Sequence, residues 1–535
     1  MNVMKWLKHE MKANRELLLC VFACVVVFGL MAHAFGFLNL NLNHDYVTEF
    51  SMYGVTGWKL TIGRFMMPVV GVIFGEYMAM PWFSGVFALV MVSLSVYLIL
   101  RMFDLRQRWQ VAALSGLMIT NLAITALSAS FMGDVVSDTF GLLLAVGAAY
   151  IWCGMRKKLR FGGLILCILL LTIALGCYQS HLSITVVLIM IKLAEELLNG
   201  RTAKEVFREG LRGALPVLIG VILYYVIANV VCMANGLDMA SGTTNSLSNV
   251  WSQDGSVISR IFYTYIYVFW ALFVPAISPV PARANILPLA SDTWHIYLVC
   301  LVNALILVFM VITLIASIRK SKLKTPSVIL LGGILLVMPF MMNVTHFLSG
   351  SSHILMQLPF VLYYLLFIVV IARVESSWRW PTVFRRAVFW VAMSMAVVVF
   401  VQIEYSNAIY TKKEIESEAT LATMTRVLAA IESQDDYRFG ETIICPIGTN
   451  VRVQGKVPET GIISQVTGAE ANWAISYQGV YDAYFRNVLL YPVKVCTVGQ
   501  AQEIEKTEAF AKMGVFPDSD SVKTVDGMIV VKMSD

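Results

Sequence analysis

Ionisable side chains are scarce in this chain. Asp, Glu, Lys and Arg make up 14% of its 535 residues, and histidine occurs seven times. A soluble protein carries about a quarter of its residues as charges, so a water-exposed globular chain is excluded. Internal repeats, low-complexity tracts, and CxxC, HExxH and P-loop motifs are all missing, as is a GxGxxG in a strand-to-helix context. The lack of a P-loop argues against an ATP-driven pump. No His/Cys/Asp spacing demands a metal, although a divalent cation stays open. The net charge of +6 is small and is spread through short loops between apolar runs. That is not the basic face that binds nucleic acid.

Apolar residues make up 58% of the chain. A membrane-spanning helix needs about 20 predominantly apolar residues. Runs that approach this length fall at roughly 17–37, 82–100, 110–127, 139–154, 161–178, 182–198, 213–233, 295–318, 327–347, 355–372 and 387–405. The first has basic residues before it and no small-residue cleavage site, so it is expected to be a retained helix rather than a signal peptide. The loops 1–16, 101–109, 155–160, 199–212, 319–324 and 373–386 hold 23 Lys and Arg. The alternate loops hold four: Lys59, Arg64, Arg260 and Arg283. By the positive-inside rule the N-terminus is expected in the cytoplasm. A further apolar stretch, 262–280, would place the basic loop 319–324 outside if it crossed. It is expected to be re-entrant or interfacial, broken by Pro275, Pro279 and Pro281, and to line a cavity.

Beyond residue 405 no spanning run remains, and acids outnumber bases. A polar helical pattern over Lys412–Glu432 precedes strand-like runs at Thr442–Cys445, Ile462–Val466, Val493–Val498 and Met528–Lys532. The expected fold is an all-α polytopic membrane protein of about 11 transmembrane helices plus the re-entrant or interfacial segment. It is completed by a small C-terminal α/β extracytoplasmic domain. The division falls at 1–405 and 406–535. Cys445 and Cys496 each sit in a strand-like run, either pairing in an oxidising compartment or remaining as buried thiols.

Polar clusters recur at the low-charge ends of the spans. The first loop carries His44, Asp45, Glu49 and Arg64; the second carries Asp134 and Asp138; a short turn carries Tyr178, Gln179 and His181; a later loop carries His353, with His346 nearby. A carboxylate at such a rim serves as general base for an acceptor hydroxyl or is a solvated loop residue. Asp138 opens an apolar helix, which also fits an N-cap. Putting it at the bilayer centre would cost about 2.5–3.5 kcal/mol, less at the interface. Four polar clusters at one depth point to a cavity opening outward.

Several of these residues carry a resemblance. Asn43-His44-Asp45 followed by Gly63-Arg64, Phe131-Met132 before Ser137-Asp138, Tyr178-Gln179-Ser180, a cytoplasmic N-terminus and an outer C-terminal domain together resemble the bacterial O-antigen glucosyltransferases of the serotype-converting type. The likeness covers residues 17 to 200 most clearly and the rest in layout. It implies a polytopic glycosyltransferase of the C superfamily in the bacterial inner membrane. Such an enzyme takes a sugar, glucose here, from a polyprenyl-phosphate carrier in the lipid and passes it to a lipid-linked or surface polysaccharide. Asp45 matches the acidic position of the first loop, Asp138 the second-loop carboxylate, and Arg64 the basic partner of the phosphate. The chain departs from the family where paired acids are replaced by Asp45-Tyr46, leaving Glu49 as substitute. It departs again where an arginine of the later loop is replaced by His353. A transporter or flippase of lipid-linked saccharide is the alternative, but that class calls for internal repeats and charges within spans.

Overall fold

The computed structural model describes residues 14–40, 47–48, 56–74, 80–155, 161–240, 256–273, 294–349, 354–377, 382–448, 474–475 and 478–534. Each of the eleven expected apolar runs is helical there. Among the described residues nine helices are long and apolar enough to cross a membrane. The expected run 161–178 forms a shorter apolar helix, Phe161–Cys177. The run 182–198 forms His181–Leu198, whose last turns carry Lys192, Glu195 and Glu196. The protein is therefore a multi-pass, mostly helical membrane protein with a small sheet near its C-terminus.

Two spans depart from simple helices for local reasons. The run 110–127 becomes two helices, Arg108–Ile119 and Leu122–Ser130. Between them the Asn121 side chain caps the second helix by accepting from the Ala123 N–H. Taking that N–H away leaves the Ile119 carbonyl free, and His33 Nε2 of the first helix donates to it over 2.7 Å. With its proton on Nε2, His33 must accept at Nδ1, and the Tyr410 hydroxyl donates there at 2.9 Å. The run 355–372 starts as a 3-10 helix, Ile354–Val361, because Pro359 within it lacks an N–H. It then continues as the α-helix Leu362–Ser377.

The apolar stretch around 262–280 is helical over Val257–Phe273. Thr264 Oγ1 meets His346 Nδ1 at 2.9 Å, and the Leu272 carbonyl accepts from Asn303 Nδ2 at 2.7 Å. The three prolines lie outside the described residues. At the basic end of the bundle, the fully buried Glu195 takes Lys192 at 2.6 Å and Arg373. Lys192 also donates to the Met102 carbonyl. These bonds join three helices where a lone buried carboxylate would be costly.

Thr382–Glu432 is one uninterrupted helix of 51 residues, so the division after 405 falls inside an element. No Pro or Gly breaks it as its surface turns from apolar to polar. Its last turns bury Met424, Val427 and Ile431 against the C-terminal sheet. The strands are β1 (Ile443–Ile447), β2 (Lys494–Val495), β3 (Val522–Val525) and β4 (Met528–Lys532), in the order β2-β1-β4-β3. β1 lies parallel to both β2 and β4, and β3 is antiparallel to β4. The β3–β4 hairpin turns on Asp526-Gly527, both at positive φ, the turn that suits the twist of paired strands. β3 was not among the strand-like runs, and Ile462–Val466 lies outside the described residues.

Tyr481, Tyr484 and Phe485 cover one face of the sheet. Cys445, Cys496, Ile504 and Phe510 form the core on the other. Cys445, in β1, and Cys496, directly after the neighbouring β2, are free thiols. The hydrogen bond to Cys496, together with burial, pushes the Cys445 thiol up; the same bond holds Cys496 down.

Val47 of the first connecting segment is also buried in the sheet's core, and its carbonyl accepts from Asn487 Nδ2 at 2.8 Å.

Replacing Tyr410 by Phe leaves His33 Nδ1 buried without a donor. The expected loss of stability is about 1–3 kcal/mol, read as a lowered melting temperature of the detergent-solubilised protein. An unchanged melting temperature would mean that this bond does not hold the first helix to the last.

Candidate active site

The first connecting segment ends in a short helix, Thr56–Thr61. Its C-terminus is closed by two bonds, Gly63 N–H to the Leu60 carbonyl and Arg64 N–H to the Lys59 carbonyl. This is the paired capping pattern that needs a left-handed residue after the helix, and Gly63 supplies it at φ +82. A side chain there would also run into the Tyr224 hydroxyl. The reversal brings Arg64 back alongside Lys59, so both cations reach one carboxylate. Lys59 Nζ lies 3.1 and 2.9 Å from the two oxygens of Asp134, and Arg64 Nη1 lies 3.0 Å from Oδ2. All three side chains are nearly buried. Asp134 is presented by the 3-10 turn Met132–Asp134, which leads directly into the helix Val135–Met155.

Asp138 lies one turn inside that helix, so the N-cap expectation is replaced. Its carboxylate meets His181 Nε2 at 2.9 Å instead. His181 starts the helix His181–Leu198, and its Nε2 also approaches the Asp138 carbonyl at 2.9 Å. Tyr178 stands edge-on to the His181 ring at 5.9 Å, and the Arg64 guanidinium lies 4.7 Å above the Tyr178 ring. Gln179 donates to the Ile62 carbonyl and to the Tyr224 hydroxyl, fastening the first segment to this turn.

Six of the expected site residues are thus brought together: Arg64, Asp134, Asp138, Tyr178, Gln179 and His181. His44, Asp45, Glu49 and His353 lie outside the described residues. His346 turns into the bundle, against Thr264 and the Tyr267 ring. Sequence reasoning missed three contributors: Lys59, Tyr224 and Thr345. Lys59 had a signal, being one of four cations on its side. Tyr224 and Thr345 had none, because each sits in an otherwise apolar run.

Two small cavities flank the Tyr178–His181 turn. One, about 370 Å³ including its open side, is lined by Arg64, Tyr178, Gln179, Ser180, Thr345 and Met356 among others. The other, about 280 Å³, is lined by Asp138, Tyr178, Ser180, His181, Leu355 and Leu358 among others. In the first, Arg64 Nε and Thr345 Oγ1 are buried with no protein partner among the described residues. These are two hydrogen-bond donors available to an anion. Among the described residues no three His, Cys, Asp or Glu side chains converge as a metal set would require.

Truncating Asp134 to Ala strands Lys59 and Arg64 as unpaired, mostly buried charges. The expected cost is about 3–5 kcal/mol, visible as a large drop in melting temperature or in folded yield. Lys59→Met should cost clearly less, because Arg64 still satisfies Asp134. Equal effects of the two changes would show that the carboxylate is not the centre of the cluster.

No curated protein and no solved structure matches this chain. A family model does: Glucosyl transferase GtrII matches residues 34–401. That stretch runs from the end of the first helix to the last span and takes in every residue of the cluster. The chain therefore belongs to the GtrII family of glucosyltransferases, membrane enzymes that transfer glucose in the modification of surface polysaccharide.

Proposed function

We propose that the protein moves glucose from a polyprenyl-phosphate carrier to a surface polysaccharide such as O-antigen, at the outer leaflet of the bacterial inner membrane. The N-terminus lies in the cytoplasm and the C-terminal sheet outside. The distribution of 23 Lys and Arg against four supports that orientation. With it, the Asp134, Asp138 and Arg64 cluster faces the compartment where the acceptor is found.

The chemistry is one inverting displacement. The acceptor oxygen bonds to the anomeric carbon as the bond from that carbon to the phosphate oxygen breaks. The acceptor's proton passes to a carboxylate, and polyprenyl phosphate departs with the electron pair. Asp45 is assigned as the base, with Glu49 as its alternative within the same segment. Asp138, oriented by His181, is the second carboxylate. The observation that carries the reading is the state of Arg64. Its Nη1 is held by Asp134 while its Nε has no protein partner among the described residues, and the side chain lines a cavity together with Thr345. A fixed cation with a spare donor is what stabilises charge developing on a leaving phosphate. Tyr178, Gln179, His44 and His353 are assigned to substrate contacts around it.

Purified protein incubated with polyprenyl-phosphate glucose and a lipid-linked acceptor should transfer the sugar. Asp45→Asn and Asp138→Asn should each lower the rate by about 10²–10⁴-fold, the usual worth of a positioned acid or base. Transfer that survives both changes would remove these assignments. Phosphatase fusions should be active when the reporter follows residue 535 and inactive when it follows residue 320. The reverse pattern would overturn the orientation.

A further inference from the structure

Of the nine cysteines, seven lie in the helices of the bundle and two, Cys445 and Cys496, in the C-terminal sheet. β1 and β2 run parallel with Ile444 opposite Val495. The pairing continues one residue further, where the Cys496 N–H donates to the Ile444 carbonyl at 2.8 Å. That register sets Cys445 beside Cys496. Side chains alternate between faces along a strand, and both thiols fall in the core on the same side of the sheet. Parallel neighbours lie about 4.8 Å apart, inside the Cα separation of about 4.4–6.8 Å that a disulfide accepts. The two sulfurs are already joined by a hydrogen bond. Cys20 and Cys24, one turn apart on the first helix, make the contrast: a helix holds such Cβ atoms about 5–6 Å apart, too far for a bridge.

Cys496 is the more reactive of the pair. It is 8% exposed whereas Cys445 is fully buried, and Gln478 Nε2 lies 3.9 Å from its sulfur. The hydrogen bond from Cys445 holds its thiol below the ordinary range, which favours the thiolate that attacks a disulfide. A bridge would close 446–495 into a loop. That loop carries Tyr481, Tyr484 and Phe485 of the helix Val480–Asn487, and Asn487, which holds Val47. It would also fasten β2, an edge strand of two residues.

We infer that Cys445 and Cys496 are an oxidative modification site that closes to an intramolecular disulfide in the outer compartment, fixing β2 and the helix beside it. The inference rests on the orientation proposed above, since such compartments keep disulfides oxidised. The oxidant is a disulfide-bearing partner, either a dithiol oxidase protein or a small-molecule disulfide. Cys496 gives up its proton, and its sulfur bonds to one partner sulfur as the partner's S–S bond breaks. The other partner sulfur leaves with the electron pair and takes up a proton. Cys445 then gives up its proton and bonds to Cys496 Sγ, and the second partner sulfur departs as a thiol. Two thiols become one disulfide while the partner's disulfide becomes two thiols.

In a first arm of the test, reduced, detergent-solubilised protein is treated with oxidised glutathione, alkylated and digested without reduction. The expected product is a peptide pair joined through Cys445 and Cys496, absent from Cys496→Ala. The oxidised protein should melt at a higher temperature, and dithiothreitol should return it to the lower one, a comparison that needs no substitution. Cys445→Ala/Cys496→Ala should show no shift on oxidation. Glutathione that stays on Cys496 without closure, or a melting temperature that closure does not raise, would overturn the inference. In a second arm, cells are quenched in acid and alkylated before any reduction, and the same joined peptides are expected. Finding both thiols alkylated there would also overturn it. A phosphatase fusion after residue 535 then shows which reading failed: an active reporter lays the failure on the cysteine pair, an inactive one on the orientation.

Discussion

Lys59 and Arg64 come from the segment that connects the first two long helices, and both end on Asp134. Three nearly buried charges meeting at 2.9–3.1 Å form an arrangement that either closes well or is expensive to keep. Its closure decides where the rest of the site goes. With Arg64 held, its guanidinium lies on Tyr178; Tyr178 then backs His181, and His181 reaches Asp138. Asp134 and Asp138 sit one turn apart in the same stretch of chain, so the path returns nearly to its start. A loop of contacts of this kind resists displacement of any one member.

The same segment is held from above as well. Val47 lies in the core beneath the C-terminal sheet and is hydrogen-bonded by Asn487, while Gln179 and Tyr224 fasten its other end. The helix Thr382–Glu432 makes this possible. It packs Tyr410 against His33 inside the bundle and, about four turns further on, offers Met424 and Val427 to the sheet. Bundle, first connecting segment and sheet are thereby joined through one rigid element. On the basic side, Glu195 with Lys192 and Arg373 closes the opposite end of the helices.

Much of this was legible in residue patterns. Runs of about 20 apolar residues specify membrane helices, because lipid leaves a backbone few other choices. The strand-like runs around Ile443–Ile447, Lys494–Val495 and Met528–Lys532 likewise show their β-branched composition. β3 was hidden because Val522–Val525 is short and half exposed, although the Asp526-Gly527 turn beside it was a usable sign. The break at Thr120–Asn121 was hidden for another reason. An Asn cap inside an apolar run looks like an isolated polar residue until the chain is folded.

Sequence alone therefore determined the class of protein, the placing of its apolar runs, the charge asymmetry between their ends and a set of polar residues in the loops on one side. These follow from local composition acting on a one-dimensional chain in a layered solvent. Tertiary structure decided how those residues are partnered. It put Asp134 rather than Asp138 with the cations, gave Asp138 to His181, and drew Lys59 and Thr345 into the site. Such pairings join residues up to hundreds of positions apart, and only the packing of helices against one another brings their side chains within hydrogen-bonding distance.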